Sequence, residues 1–168
     1  MQEVEKYSRQ LENIKLETYF YGNHIFFDKQ INESFKIRFP AGIFPWKKND
    51  KRIIYIMTCS TPNKKYIICC CELGNNIRGN EHTIWNLFKT LESENLKGVA
   101  NLFISLLFRF YNNKYKDGDK LLNLYIIPKY SKAAYITYLK NGFIHNSPKN
   151  FWLNYRGNLE QALYMYKK

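Results

Sequence analysis

No apolar run approaches the roughly 20 residues that a membrane-spanning helix needs. The greasiest stretch, Val99 to Phe108, is interrupted by Asn101 and Ser105. The first residues, Met1-Gln2-Glu3-Val4-Glu5-Lys6, are charged and hold no signal-peptide core. Cysteine is scarce too: Cys59 and the run Cys69-Cys70-Cys71 contain no Cys-x-x-Cys pair and no zinc-ligand spacing. These absences argue against a membrane partner, a disulfide framework and a metal, and for reduced thiols packed in strands of a cytoplasmic protein. Only 6 of the 26 basic residues are Arg. The net charge of +12 is scattered along the chain, and Lys, Asn, Ile and Tyr are all abundant, as AT-rich coding would produce. A specific nucleic-acid reader more often concentrates Arg on one element, so nucleic acid is a possible partner but not the favoured one. No repeat, linker or low-complexity segment divides the 168 residues, which suit a single domain over 1–168.

What is present reads as alternating elements. Glu3 to Leu16 has Val4, Tyr7, Leu11 and Ile14 on one side and predicts a helix. Tyr19 to Asp28 is aromatic and fits a strand or a helix. Glu33 to Phe39 alternates, with Phe35, Ile37 and Phe39 facing one way, and predicts an extended segment. Phe39-Pro40-Ala41-Gly42-Ile43-Phe44-Pro45-Trp46 is a loop that either lines a pocket or covers the core. Arg52 to Cys59 and Lys65 to Leu73 predict a hairpin of buried strands, and a polar loop follows from Gly74 to Glu81. Thr83 to Leu91 predicts a third strand with Ile84 and Phe88 on one face and Trp85, Leu87 and Leu91 on the other. Lys114 to Lys120 predicts a loop and Leu121 to Ile127 a strand stopped by Pro128. Ser131 to Asn141 is a helix capped by Ser131 and closed by Gly142, and Phe151–Tyr155 with Ala162–Tyr166 a closing antiparallel pair. This order gives an α/β (α+β) domain with a mixed sheet.

The most informative stretch is Asn95-Leu96-Lys97-Gly98-Val99-Ala100. It opens a helix whose apolar face runs through Val99, Leu102, Phe103, Leu106, Leu107 and Phe110. A small-residue turn between a strand and a helix N-terminus presents unpaired N–H groups and the positive end of the helix dipole, which suits a phosphate.

Two motifs in the right order then carry a resemblance. Asn95, Gly98 and Ala100 match the Gln/Arg-x-x-Gly-x-Gly/Ala turn of the GCN5-related N-acetyltransferases (GNAT), with Asn95 in place of Gln or Arg. Ser131, Ala134, Tyr138, Gly142 and Phe143 match the family's Asn-x-x-Ala-x-x-x-Tyr-x-x-x-Gly-Phe helix, with Ser131 replacing Asn. The resemblance covers residues 52 to 168 by element order, and residues 1–51 align with nothing.

The resemblance implies a GNAT-like, mostly antiparallel sheet flanked by helices. It also implies that acetyl-CoA is used to acetylate an amine of a small molecule or a protein. Amides of Leu96, Lys97, Gly98, Val99, Ala100 and Asn101 would then cradle the pyrophosphate, with Asn95, Ser131 and Ala134 in the same cofactor site. The pantetheine arm would lie along Thr83–Leu91, with the Leu91 amide polarising the thioester carbonyl. Tyr138 would act as general acid to the departing thiolate. For the base, Glu72, Glu92, Glu94 and a water relay are alternatives that no spacing separates. His24, His82 and His145 fall at loop-like positions and receive no role.

Overall fold

In the computed structural model, residues 2–75, 81–115 and 121–167 are described. They form two compact units: Met1–Leu73 with Asn86–Phe103, and Gly74–Trp85 with Ile104–Lys168.

The first unit opens with α1 (Gln2–Tyr7), a 3-10 turn (Leu11–Asn13) and β1 (Ile14–Phe20). The predicted helix over Glu3–Leu16 therefore stops at Tyr7, and its last three residues, Ile14–Leu16, belong to a strand that pairs antiparallel with β2 (Ile53–Ser60) from Ile14↔Cys59 to Phe20↔Ile53. β2 pairs antiparallel with β3 (Lys65–Asn75), as the two apolar runs predicted, and its register shifts between Met57 and Thr58. Cys59, Cys69, Cys70 and Cys71 are buried free thiols. Burial pushes each of them up, so none is a ready thiolate.

The predicted extended segment at Glu33–Phe39 is instead part of a helix, α2 (Ile25–Arg38). Its buried face is Gln30, Ile31, Ser34 and Phe35, the i, i+1, i+4, i+5 set, while Ile37 is 61% exposed. Two polar residues on that face, Gln30 and Ser34, dilute the apolar pattern and mask its helical period. His24 caps the helix, its Nδ1 accepting from the Phe27 amide at 3.1 Å. The Phe39–Trp46 loop covers the core. Trp46 is 2% exposed and packs with Ile31, Phe35, Ile54, Ile56, Ile67, Cys70 and Phe88, while Phe39 and Phe44 lie at the edge. Each such side chain contributes about 1.5–3 kcal/mol by leaving water.

β4 (Glu81–Lys89) and α3 (Val99–Lys114) run from one unit into the other. β4 leaves the extended conformation at Asn86, whose φ is +53°. α3 is the predicted amphipathic helix with its buried stripe turned slightly, to Val99, Phe103, Ile104, Leu107 and Tyr111. The second unit adds β5 (Leu121–Ile126), α4 (Lys132–Lys140), β6 (Ile144–His145), β7 (Phe151–Tyr155) and β8 (Asn158–Lys167). β8 is the hub: it pairs antiparallel with β5, β6 and β7, whereas β4 and β5 are parallel. His82 and His145 thus lie on strands rather than in loops. His82 is buried against Tyr111, and His145 meets the Tyr135 hydroxyl at 2.7 Å. The ends of the predicted loop at Gly74–Glu81 lie in strands, since β3 reaches Asn75 and β4 begins at Glu81. Residues 76–80 and 116–120, also expected in loops, lie outside the described residues. Among those described, no helix is long and apolar enough to cross a membrane. The described residues form an α/β fold with a mostly antiparallel sheet and four α-helices.

Candidate functional site

In the first unit β4 ends at Lys89 and the chain enters a 3-10 turn, Leu91–Ser93, before α3. This turn is pinned by buried polar groups. The Thr90 hydroxyl donates to the Ile67 carbonyl at 2.6 Å, and the Ser93 hydroxyl to the Ile68 carbonyl at 2.7 Å. The Gln30 side-chain carbonyl accepts from the Ile67 amide at 3.0 Å. From α2, the Ser34 hydroxyl accepts the Leu91 amide at 3.0 Å. Leu91 is therefore off the strand, and its N–H, predicted to polarise a thioester carbonyl, is already engaged by Ser34. The Leu96 amide is taken as well, donating to the Ser93 carbonyl at 2.9 Å.

The amides that follow are different. Lys97, Gly98, Val99 and Ala100 show no backbone partner among the described residues, and the first helical bond runs from the Leu102 amide to the Gly98 carbonyl at 3.0 Å. The four N–H groups opening a 16-residue helix are unsatisfied by the helix itself. Gly98 holds φ +75°, and a Cβ built there meets nothing within 4 Å. The residue is glycine for its backbone conformation, and the space in front of it is open, so the turn fits a phosphate. Asn95, Leu96, Lys97, Gly98, Val99 and Leu102 line one side of a cavity of about 330 Å³. Its other walls are Glu5 of α1, Ser8 and Arg9 just after it, Ile14 of β1, Met57 of β2 and Ile68 of β3. The α1 residues were invisible as site candidates, because nothing in their local pattern marks them and only folding brings them beside the turn. Ala100 and Asn101 lie in the first turn of α3 outside the cavity lining.

The second unit holds the other predicted residues. β4 and β5 pair only over Glu81–Thr83 with Leu121–Asn123. A polar lock sits where the pairing ends: Thr83 Oγ1 donates to Asn123 Oδ1 at 2.6 Å, and Asn123 Nδ2 to Glu81 Oε2 at 3.1 Å. Glu81 Oε1 in turn accepts from Lys149 Nζ and from the Tyr164 hydroxyl, each at 3.0 Å. The hydrogen bond from Lys149 to Glu81 holds the ammonium above its ordinary range, and burial pushes the Tyr164 phenol up. Beyond this lock β5 continues to Ile126 with its register to β4 ended, the kind of strand edge along which an extended chain can pair.

On α4, Ser131 occupies the N-cap position but makes no side-chain capping bond. Ala134 is half-buried, and Tyr138 is buried with its ring edge-on to Phe143 at 5.3 Å. Gly142 closes the helix at φ +84°, and the Phe143 amide donates to the Tyr138 carbonyl at 3.1 Å. Among the candidate bases, Glu72 accepts the Trp46 indole N–H at 2.8 Å and lies 3.7 Å from the Arg52 guanidinium. Glu92 keeps Oε2 buried without a partner among the described residues, and Glu94 is exposed.

No protein-family model matches the chain, and no curated protein matches it in sequence. Solved structures do match. One is the spermidine N-acetyltransferase of Vibrio cholerae in complex with CoA and spermine, at TM-score 0.67 and 14% identity, covering 93% of this chain and 95% of that one. A second is an acetyltransferase of the GNAT family from Streptococcus pneumoniae, at TM-score 0.60 and 10% identity, covering 92% and 98%. A third is the ribosomal-protein-S18-alanine N-acetyltransferase of Escherichia coli, at TM-score 0.52 and 15% identity, covering 90% and 92%. Identities this low speak for architecture, and the architecture shared extends over nine-tenths of the chain. The protein has the fold of the GCN5-related N-acetyltransferases, the GNAT superfamily.

Proposed function

We propose that the chain is a single acyltransferase domain that moves the acetyl group of acetyl-CoA directly to an amine within a ternary complex. The observation that carries this reading is the turn into α3: a left-handed Gly98 facing open space, followed by unpartnered amides at a helix N-terminus. Such a turn takes a phosphate without any particular side chain, so asparagine at position 95 does not bar it. The shared fold supports the reading, and one of its members is solved with CoA and spermine bound.

Acetyl-CoA supplies an activated acetyl thioester. The chain's part is to bind, orient and move protons. The amides of Lys97 through Ala100 hold the pyrophosphate, with Asn95, Leu96 and Asn101 beside it and Ser131 and Ala134 flanking the arm. With the Leu91 and Leu96 amides engaged elsewhere, the donor to the developing oxyanion comes from β4 itself, along Asn86–Lys89, where Asn86 breaks the regular strand. Tyr138 gives its phenolic proton to the leaving thiolate as the amine nitrogen bonds the acyl carbon and the C–S bond breaks, and the proton shed by the nitrogen passes through water to restore the phenol. No acyl-cysteine forms, since all four thiols are buried and held protonated. The protein acts in the cytoplasm on a small-molecule or protein amine. The burial of Tyr138 favours one rival: a domain that binds CoA and does not turn it over.

The test is thermal stability with acetyl-CoA, followed by turnover. Wild type is stabilised by the ligand, and Tyr138→Phe retains that stabilisation but loses most of its turnover with a polyamine or N-terminal peptide acceptor. Absence of any ligand effect on the wild type would sink the cofactor reading. Tyr138→Phe losing affinity and turnover together would make the tyrosine structural.

A further inference from the structure

We infer that the segment following α1 supplies a second phosphate-binding cation beside Lys97 of the α3 turn, with Arg9 meeting a phosphate of CoA in the cavity between α1 and α3. This rests on the reading of the α3 turn as a CoA site, and the cavity carries it.

The cavity has a floor of buried apolar side chains, Ile14, Met57 and Ile68, and a polar rim of Glu5, Ser8, Arg9, Asn95 and Lys97. Its volume, about 330 Å³, lies at the lower end of small-molecule sites, enough for a phosphate with part of a nucleotide and too little for all of CoA. Two cations and one carboxylate line it. Among the described residues neither Arg9 nor Lys97 forms an ion pair, while the five pairs that do form lie elsewhere. Lysines are plentiful on this surface, whereas Arg9 is one of only six arginines, and a guanidinium presents a planar fork that matches two phosphate oxygens at once. Arg9 lies two residues past the end of α1, and α1 is anchored by Val4, which is fully buried. The Ser8 amide bonds back to the Val4 carbonyl at 2.9 Å, so the segment bearing Arg9 is tied to a fixed element. On this account the N-terminal residues, which match no motif, complete the cofactor site from outside the loop.

The experiment is isothermal titration of the full chain with CoA and with dephospho-CoA, which lacks the 3′-phosphate. The variants are Arg9→Gln, Arg9→Lys and, as an equal charge change away from the cavity, Lys36→Gln. Arg9→Gln weakens CoA about tenfold, the scale of one exposed charge-assisted bond, and Arg9→Lys recovers part of it. The loss shrinks as salt rises. Lys36→Gln binds as wild type does. If the tenfold loss persists with dephospho-CoA, Arg9 meets the pyrophosphate, and if it vanishes, the 3′-phosphate. Either result supports the assignment. Arg9→Gln binding CoA as wild type does, or Lys36→Gln losing as much as Arg9→Gln, overturns it and leaves the α3 turn as the CoA site. A wild type that binds no CoA fails earlier, and takes the functional reading with it.

Discussion

Replacing Gly98 separates the cost to the fold from the cost to the ligand. At φ +75° an L-residue is strained by roughly 1–2 kcal/mol, and because a Cβ meets nothing within 4 Å no steric cost is added. For a chain of 168 residues each kcal/mol moves the melting temperature by about 2–4 °C. Gly98→Ala and Gly98→Glu should therefore lower it by a similar amount, about 2–8 °C, in the absence of ligand. Acetyl-CoA at a hundredfold excess over its dissociation constant stabilises the wild type by about 2.7 kcal/mol, or roughly 5–11 °C. In Gly98→Ala a methyl group stands between the turn and the phosphate, so the ligand shift shrinks. In Gly98→Glu a carboxylate occupies the anion's place, and the shift disappears. Differential scanning calorimetry with and without acetyl-CoA reads both quantities on the same samples. Two results would refute the reasoning: an alanine variant that loses more than about 4 kcal/mol without ligand, because the space would then be occupied, or a glutamate variant that keeps the full ligand shift.

Ser34→Ala strips the Leu91 amide of its partner at the base of the α3 turn, at a cost of about 1–3 kcal/mol measured by urea unfolding. A variant as stable as wild type would show that the amide finds another acceptor. The carboxyl of Glu17 on β1 is raised by burial, but the Thr58 hydroxyl at 2.6 Å and the Lys65 ammonium at 3.1 Å outweigh that and hold it below its ordinary value. With the folded pKa depressed, its stabilisation is present above the unfolded carboxyl pKa, about 4.3, and is lost as pH falls through the folded value. Glu17→Gln is then destabilising at pH 7 and close to neutral at pH 2, and an unfolding penalty that does not depend on pH would contradict this.

Where a single element carries its own record, the sequence was enough. The runs of β2 and β3 are apolar because both faces are covered. α3 announces itself by its stripe from Val99, and α4 by the Tyr138–Gly142–Phe143 closure, whose glycine does adopt a left-handed φ. The fold followed from the order of these elements. Glycine before a helix N-terminus has a local physical meaning, so the sequence marks Asn95–Ala100 as a candidate anion turn, and Gly98 has the left-handed conformation such a turn requires.

Four features were settled only by packing. α2 was misread as extended because its buried face carries Gln30 and Ser34, polar residues whose partners are backbone groups of Ile67 and Leu91, distant in sequence. The end of the predicted N-terminal helix, Ile14–Leu16, lies in β1 because Ile14–Phe20 pairs with β2, and that pairing outweighs a helical spacing. The Leu91 amide is engaged because Ser34 reaches it, and Arg9 lines the cavity beside the α3 turn because α1 packs there. Periodicity records which side of an element is buried. It does not record which donor is already taken, or which charge from another segment arrives at an open turn, since both depend on groups that meet only after the chain has folded.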